Sequence, residues 1–350
     1  MRIGLAYNQK PDLTATGEPP STRDAFAEWD DPATINAVAQ ALGLFGDVVR
    51  LEAVATFPQQ LTLARPDLVF NMAEGLFGPN RESHVPAICE FSGVPYTGSD
   101  PLTLALALHK GHAKGILAHA GVPTAPFALV AEPRDLERVT LPYPLFVKPV
   151  AEGSGKGIYV NNLCRSSEQL RERVLTLLKE YHQPVLVETY LPGREFTVAI
   201  LGNGADARCL PIVAFDFATL PAGAPPIYGY EAKWVWDTPE RQLEIYECPA
   251  RVPDVLARAI ENVSLAAYHA LGCRDWCRVD VRLDAAGVPH IIELNPLPGI
   301  LPDPRENSCF PKAARVAGYT YEGLIQEVVR VAWRRLTGHA LAPARAGAVA

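Results

Sequence analysis

The run that most constrains this chain is Arg278-Val279-Asp280-Val281-Arg282-Leu283, followed by a polar stretch Asp284 to Pro289 and then His290-Ile291-Ile292-Glu293-Leu294-Asn295. Two alternating segments joined by a polar turn that contains Gly287 read as a β-hairpin. With the turn symmetric about Ala286 and Gly287, Asp280 faces Glu293. Period-two alternation then puts Arg278, Asp280, Glu293 and Asn295 on one face and sends Val279, Val281, Ile292 and Leu294 into the core. Two carboxylates directly opposite each other repel. Oxygen ligands from Asp, Glu and Asn suit a hard cation such as Mg²⁺ bridging phosphate groups. The alternative is a solvated polar face neutralised by Arg278 and Arg282.

The rest of the chain supplies a setting for that hairpin. At 350 residues it is too long for one ordinary core, so two or three domains sharing a cleft are expected. Residues 1–98 alternate strand and helix signals: Ile3–Tyr7, Ala33–Leu44, Val48–Val54, Asp67–Met72 and a helix near Val85–Phe91. That order implies βαβ units and a parallel sheet. The polar stretch Gln9–Asp31, with three prolines, reads as an open loop over the carboxyl edge of the sheet, and it lacks GxGxxG. A helix from about Leu102 to Ala120 is stopped by Gly121 and Pro123. Strands Leu145–Pro149 and Gly157–Asn161 flank a glycine-rich loop. Ser166 and Gln169 form a capping box for a helix to Tyr181, and the strand Pro184–Glu188 follows. Beyond Arg194 come strands Glu195–Leu201, Cys209–Phe215, Arg278–Leu283 and His290–Leu294. Helices Asp254–Leu271 and Tyr321–Leu336 accompany them, and the tail His339–Ala350 is expected to fray. The expected class is α/β for the N-terminal part and α+β for the remainder.

Several function classes are disfavoured. A formal charge of −7 gives no broad basic field, so neither nucleic acid nor an anionic membrane surface is an expected partner. Met1–Tyr7 reads directly as a strand, so no signal peptide is expected. The most apolar helix candidate, Pro101–Leu108, falls well short of the roughly 20 residues a membrane span needs. Seven scattered cysteines without a CxxC pair read as buried thiols in a reducing cytosol, so the expected location is cytoplasmic.

The loop Lys148-Pro149-Val150-Ala151-Glu152-Gly153-Ser154-Gly155-Lys156-Gly157 has three alternating glycines whose bare amides can approach phosphate oxygens. A plain flexible turn reads equally well from this segment alone. It is not a Walker loop, because the position five before Gly155 is Val150 and Gly157 follows Lys156. Lys110 and Lys148 can bring cationic charge to phosphates; read singly, each looks like a solvated surface lysine, Lys148 less so because Leu145-Phe146-Val147 would bury its strand. The segment Val185–Glu195 ends an apolar strand on Glu188 and then turns.

Taken in this order, the pieces resemble the ATP-grasp superfamily, and within it the D-alanine–D-alanine ligase family. The matching stretches are Asp67–Asn71, Gly93–Ser99, Ala120–Thr124, Lys148–Gly157, Glu188–Glu195, Tyr230–Lys233 and Arg278–Gly299. The resemblance implies an N-terminal parallel-sheet domain (residues 1–100) and two α+β subdomains clasping ATP (residues 101–190 and 191–337), with residues 338–350 as a tail. It implies that Lys110, Lys148, Gly153, Ser154 and Gly155 contact ATP phosphates, that Glu188 and Leu191 hold the adenine edge, and that Glu195 holds the ribose. Lys233 would reach the γ-phosphate, Asp280, Glu293 and Asn295 would hold Mg²⁺ (or Mn²⁺), and Arg278 would stabilise the reacting centre beside Ser154 and Lys233. The implied reaction joins a carboxylate to an amine through an acyl phosphate, with amino-acid-like small molecules as partners and room for a homodimer.

The chain departs from the family at the amino-acid end. The family's Gly-Gly-x-Ser-x-Glu after the first strand is replaced by Tyr7-Asn8-Gln9-Lys10, and its His-Gly pair by Ala73-Glu74-Gly75. Trp234 stands where tyrosine is usual, and a longer Pro-rich segment separates Gly299 from Ser308. Glu74, Trp234, Gly299 and Ser308 are therefore the candidate substrate residues, with Glu28 and Asp30 as alternative ammonium anchors. Three readings follow: a D-Ala–D-Ala-like ligase, an ATP-grasp enzyme of different substrate or cyclising type, and a non-catalytic nucleotide-binding module.

Overall fold

The structure is a computed structural model and describes residues 1–11, 26–237 and 242–341. Most of the expected Gln9–Asp31 loop, the end of the tail and the side chain of Trp234 lie outside the described residues.

Strands β1 (Arg2–Tyr7), β2 (Asp47–Glu52) and β3 (Leu68–Asn71) form a parallel sheet in the order β2-β1-β3. The crossovers are α1 (Pro32–Leu42) and α2 (Phe57–Ala64), and α3 (His84–Phe91) follows β3. Helix α1 starts on a proline, which needs no amide partner in the first turn. It then buries Ile35, Val38, Ala41 and Leu42, an apolar stripe at helical spacing.

The single helix expected over 102–120 is two, α4 (Pro101–Leu108) and α5 (Lys110–His119). His109, at ψ 88, leaves the helical region, and its side chain accepts a bond from the His112 amide as the cap of α5. The Lys110 amide, freed by the break, donates to the Val150 carbonyl at 2.9 Å. The kink thereby turns Lys110 toward the glycine-rich loop.

Strands β4 (Phe127–Val130), β5 (Leu145–Pro149), β6 (Leu163–Cys164) and β7 (Val185–Thr189), with helix α6 (Ser167–Tyr181), build an antiparallel sheet in the order β4-β7-β5-β6. The strand expected at Gly157–Asn161 does not form. Buried Asn162 donates to the Val147 and Gly157 carbonyls, which holds the chain in a turn and delays pairing to Leu163. The capping box is half realised: Ser166 caps the Gln169 amide, but the Gln169 side chain takes the Arg165 amide instead.

Strands β8 (Glu195–Leu201), β9 (Arg208–Cys209), β10 (Val213–Phe215) and β11 (Tyr246–Glu247), helix α7 (Asp254–Ala270), and strands β12 (Trp276–Leu283) and β13 (Pro289–Asn295) come next. Their sheet runs β11-β10-β8-β12-β13, with β9 on β8. Pro211, which has no amide to donate, splits the expected strand Cys209–Phe215. Helices α8 (Cys309–Val316) and α9 (Tyr321–Thr337) close the chain.

One continuous core joins the N-terminal sheet to this last one, with Phe70, Trp276 and Phe310 in edge-on contact at its centre. Trp276 is fully buried, and cutting it to alanine would cost about 3–5 kcal/mol. Buried Asp275 pins the same junction through the Gly98 amide, the Asn203 side chain and Arg335 of α9. All seven cysteines are free, and among the described residues no helix is long and apolar enough to cross a membrane.

Candidate active site

The β12–β13 hairpin lies on the cleft between the two antiparallel sheets. Its register sets Arg278 opposite Asn295 and Asp280 opposite Glu293, the pairing expected from the turn. One assignment is corrected. The register shifts after Asp280, so that Val281 faces Ile291 and Ile292 is the extra residue of a bulge. Ile291 therefore occupies the core, while Ile292 lines the cleft.

Each hairpin acid faces cations. Asp280 accepts from Arg278 Nε and Nη2 (3.1 and 3.0 Å) and from Asn295 Nδ2 (3.2 Å). Glu293 lies 3.5 Å from Lys110 Nζ and 4.0 Å from Lys148 Nζ. Burial would raise the Glu293 pKa, but Lys110, Lys148, Arg278 and Lys233 together hold it down to about 2. Among the described residues no three His, Cys, Asp or Glu side chains form a metal cluster. The hairpin offers two carboxylates and an amide oxygen, the hard-oxygen donor type that suits Mg²⁺.

Lys110 and Lys148 are not solvated, at 6% and 2% exposure. Lys148 pairs with Glu188 at 3.0 Å, and Lys114, one helical turn beyond Lys110, takes the other Glu188 oxygen at 2.8 Å. Burial pushes the Glu188 pKa up, yet the two lysines win and hold it below its ordinary value. Leu191 is buried beside this strip, and Ala125, Phe146 and Ile158 complete an apolar wall. Glu195 is bound by Arg282 at 2.8 Å, and Arg282 also holds the Tyr190 hydroxyl and the Pro226 carbonyl.

The glycine-rich loop is shaped rather than slack. Ser154, Gly155 and Gly157 all have positive φ. A Cβ at Gly157 would sit 2.3 Å from Pro149 Cγ, so no side chain fits there. The Tyr230 amide donates to the Ile158 carbonyl at 2.7 Å, docking the loop on the segment that leads to Lys233. On its other side the Gly153 amide donates to Glu28 at 2.7 Å. Glu28 also binds Arg81 Nη2 through both oxygens (2.7 and 2.9 Å) and Lys156 at 3.5 Å, while Arg81 donates to the Ala151 carbonyl. Glu28 is therefore committed to the loop and is not a free anchor.

Lys233 has no carboxylate partner among the described residues. Its ammonium sits 5.2 Å from the Tyr228 ring centroid, and burial first, Arg278 second, depress its pKa. Lys233, Arg278, Tyr228, Tyr246 and Cys309 line both the narrow cleft beside Glu188 and a larger cavity of ≈ 460 Å³. Asn295, Gly299, Ser308, Glu74 and Asp30 line the larger cavity. Ser308 Oγ bridges the Gly299 carbonyl and the Leu301 amide, so it shapes the Pro-rich segment. Asn8, in the place of the missing first-strand motif, is buried and closed inward by the Ala53 carbonyl and the Gly75 amide. The sequence reading missed Lys114, Arg81 and Glu82. Only Lys114 carried a signal, its i,i+4 spacing from Lys110.

Comparison with known proteins is consistent with this geometry. Residues 116–330 match the family model described as D-ala D-ala ligase C-terminus. The chain is 37% identical over 298 residues to the uncharacterized protein y4sG of Sinorhizobium fredii, covering 85% of this chain and 84% of that one. It is 35% identical over 280 residues to a D-alanine–D-alanine ligase of Bordetella avium, covering 79% and 80%. A solved structure of D-alanine–D-alanine ligase from Bacillus anthracis complexed with ATP superposes with a TM-score of 0.69 at 22% identity, over 96% of this chain and 98% of the other.

Proposed function

The chain belongs to the D-alanine–D-alanine ligase family, and from that premise we propose that it is an ATP- and Mg²⁺-dependent carboxylate–amine ligase in which Lys233 and Arg278 hold the reacting centre. The observation that carries this reading is the shared wall: Lys233 and Arg278 front both the narrow cleft and the larger cavity, where a γ-phosphoryl group and a substrate carboxylate would meet.

In this reading Glu188 and Leu191 receive the adenine edge and Glu195 the ribose. Lys110 and Lys148 bind phosphate oxygens beneath the Gly153–Gly155 loop. Asp280, Glu293 and the Asn295 amide oxygen would hold Mg²⁺, which when bound offsets phosphate charge. Lys233, a cation with no carboxylate partner among the described residues, orients the γ-phosphoryl group. The substrate carboxylate attacks phosphorus and ADP leaves, giving an acyl phosphate. The amine of the second substrate then attacks the carbonyl, Arg278 stabilises the oxyanion, and phosphate departs. Positioning and charge neutralisation suffice for such a transfer. An oxyanion donor of this kind contributes roughly 10²–10³ in rate. The free thiols fit a reducing cytosol.

The substrate end supports a preference other than two D-alanines. Asn8 is closed inward, and Glu28 is bound by Arg81 and Lys156, so neither serves as the family's ammonium anchor. The test is mass spectrometry of products from ATP, Mg²⁺ and a panel of D- and L-amino acids. We expect ADP, phosphate and a condensation product lighter than its two parts by one water. ADP without such a product would overturn the reading.

A further inference from the structure

The ≈ 460 Å³ cavity is lined by the cations Lys10, Lys110, Lys233, Arg278 and Arg305. The segment between β3 and α3 adds the acids Glu74 and Glu82. Glu28, which also lines it, is already bound by Arg81 and Lys156. By contrast, neither the Glu74 nor the Glu82 side chain has a hydrogen-bond or ion-pair partner among the described residues. Glu82 is only 8% exposed and still faces the cavity. The cations nearest to it are engaged elsewhere: Arg81 with Glu28 and the Ala151 carbonyl, Lys110 with Glu293 and the Glu152 carbonyl.

An unpaired buried carboxylate such as Glu82 is costly, and a second, half-buried one beside it adds repulsion. Burial raises the Glu82 pKa to about 7, and it raises Glu74 well above the ordinary value, with the Glu82 carboxylate as the largest neighbouring charge. The α-ammonium of a bound amino acid can satisfy one of these carboxylates while its own carboxylate reaches Lys233 and Arg278. The amine of the second substrate must lose its proton before it attacks, so any ion pair it makes with the other is broken at that step.

We propose that the carboxylate substrate is a diamino acid, whose α-ammonium and side-chain ammonium are held together by Glu74 and Glu82. This rests on the ligase reading above. Among the described residues neither carboxylate has a cation as partner, and a substrate with two ammonium groups satisfies both.

The experiment compares shape-matched pairs, 2,4-diaminobutyrate against norvaline and ornithine against norleucine, in both configurations. Full-length protein, ATP, Mg²⁺ and D-alanine as amine donor are present throughout, and ADP release above the D-alanine background is read as kcat/KM. We expect the diamino member to be favoured at least tenfold. E82Q and E74Q should each shrink that ratio, and the double variant should bring it near one, while the Kd for a non-hydrolysable ATP analogue stays within twofold. E82Q removes an unpaired buried acid and E74Q a half-buried one, so loss of fold is not expected, and a thermal melt checks it. Equal use of the neutral members, or a preference that survives in the double variant, overturns the proposal. If no amino acid elicits ADP, the ligase reading fails. Calorimetric binding of the same pairs with the ATP analogue then still decides the matter: tighter diamino binding supports the charge assignment, and equal binding overturns it.

Discussion

Replacing Glu82 by glutamine should stabilise the protein, and more so as pH rises. Glu82 is almost fully buried, lacks a partner among the described residues, and has its pKa displaced from 4.5 to about 7. A carboxyl with a raised folded-state pKa binds its proton more tightly in the fold than in the unfolded chain. Its favourable contribution is complete below pH 4.5 and is lost as pH climbs through 7. At 1.36 kcal/mol per pH unit the displacement amounts to roughly 3 kcal/mol by pH 8. At roughly 2.1 cal/mol/K per residue, the unfolding entropy of a chain this size converts that to a Tm difference of about 4 °C. Glutamine keeps the shape and removes the charge. Melts of wild type and E82Q at pH 5 and pH 8, by circular dichroism without nucleotide, should show near-equal Tm at pH 5 and a higher Tm for E82Q at pH 8. The same Tm difference at both values, or a wild type that gains on E82Q toward pH 8, would refute the claim that Glu82 is an unmet buried charge.

Three other variants probe the nucleotide end and its loop. D280N combined with E293Q should abolish Mg²⁺-dependent ATP turnover while leaving a folded protein, which far-ultraviolet dichroism checks. The E293Q half should lower Tm at neutral pH and do so less toward pH 3, because a carboxylate held down to about 2 contributes stability that fades as pH falls from 4.5. R278A should lower kcat by about 10²-fold or more with little change in nucleotide Kd. A variant that melts early but keeps kcat per folded molecule would mark Arg278 as purely structural. E28Q should strip Arg81 and Lys156 of one of the two acids they share and cost on the order of 2–3 kcal/mol, below the ~3–5 of a fully broken buried pair because Glu152 still pairs with both and Arg81 keeps the Ala151 carbonyl. Limited proteolysis within 150–160 should accelerate, and an unchanged cleavage rate would contradict the latch.

The hairpin was legible because alternation and turn length together determine register, and the pairing of Asp280 with Glu293 follows from both. The bulge at Ile292 was not, since nothing in an apolar pair such as Ile291-Ile292 says which residue is the extra one. The break at His109 depends on a tertiary bond from Lys110 to Val150, so local helix signals ran straight through it. The burial of Lys110 was hidden for a related reason, and that of Lys148 was signalled only by its apolar strand. A lysine looks exposed until its carboxylates are known, and Glu188 and Glu293 lie far off in the chain. The Glu28–Arg81 pair spans 53 residues and starts from a loop with no periodic pattern. The ATP-binding end was readable from local motifs, whereas the amino-acid cavity is assembled from distant loops whose meeting leaves no local trace.

The most direct test of the central claim follows oxygen. The amino acid that elicits the most ADP release is prepared with ¹⁸O in its carboxylate and incubated with ATP, Mg²⁺ and an amine donor, and the released phosphate is analysed by mass spectrometry. Attack of the carboxylate on the γ-phosphoryl group at Lys233 and Arg278 predicts one ¹⁸O in the phosphate for each condensation product formed. Product formation with unlabelled phosphate would contradict the acyl-phosphate route, and ADP release without any labelled product would contradict the ligase itself.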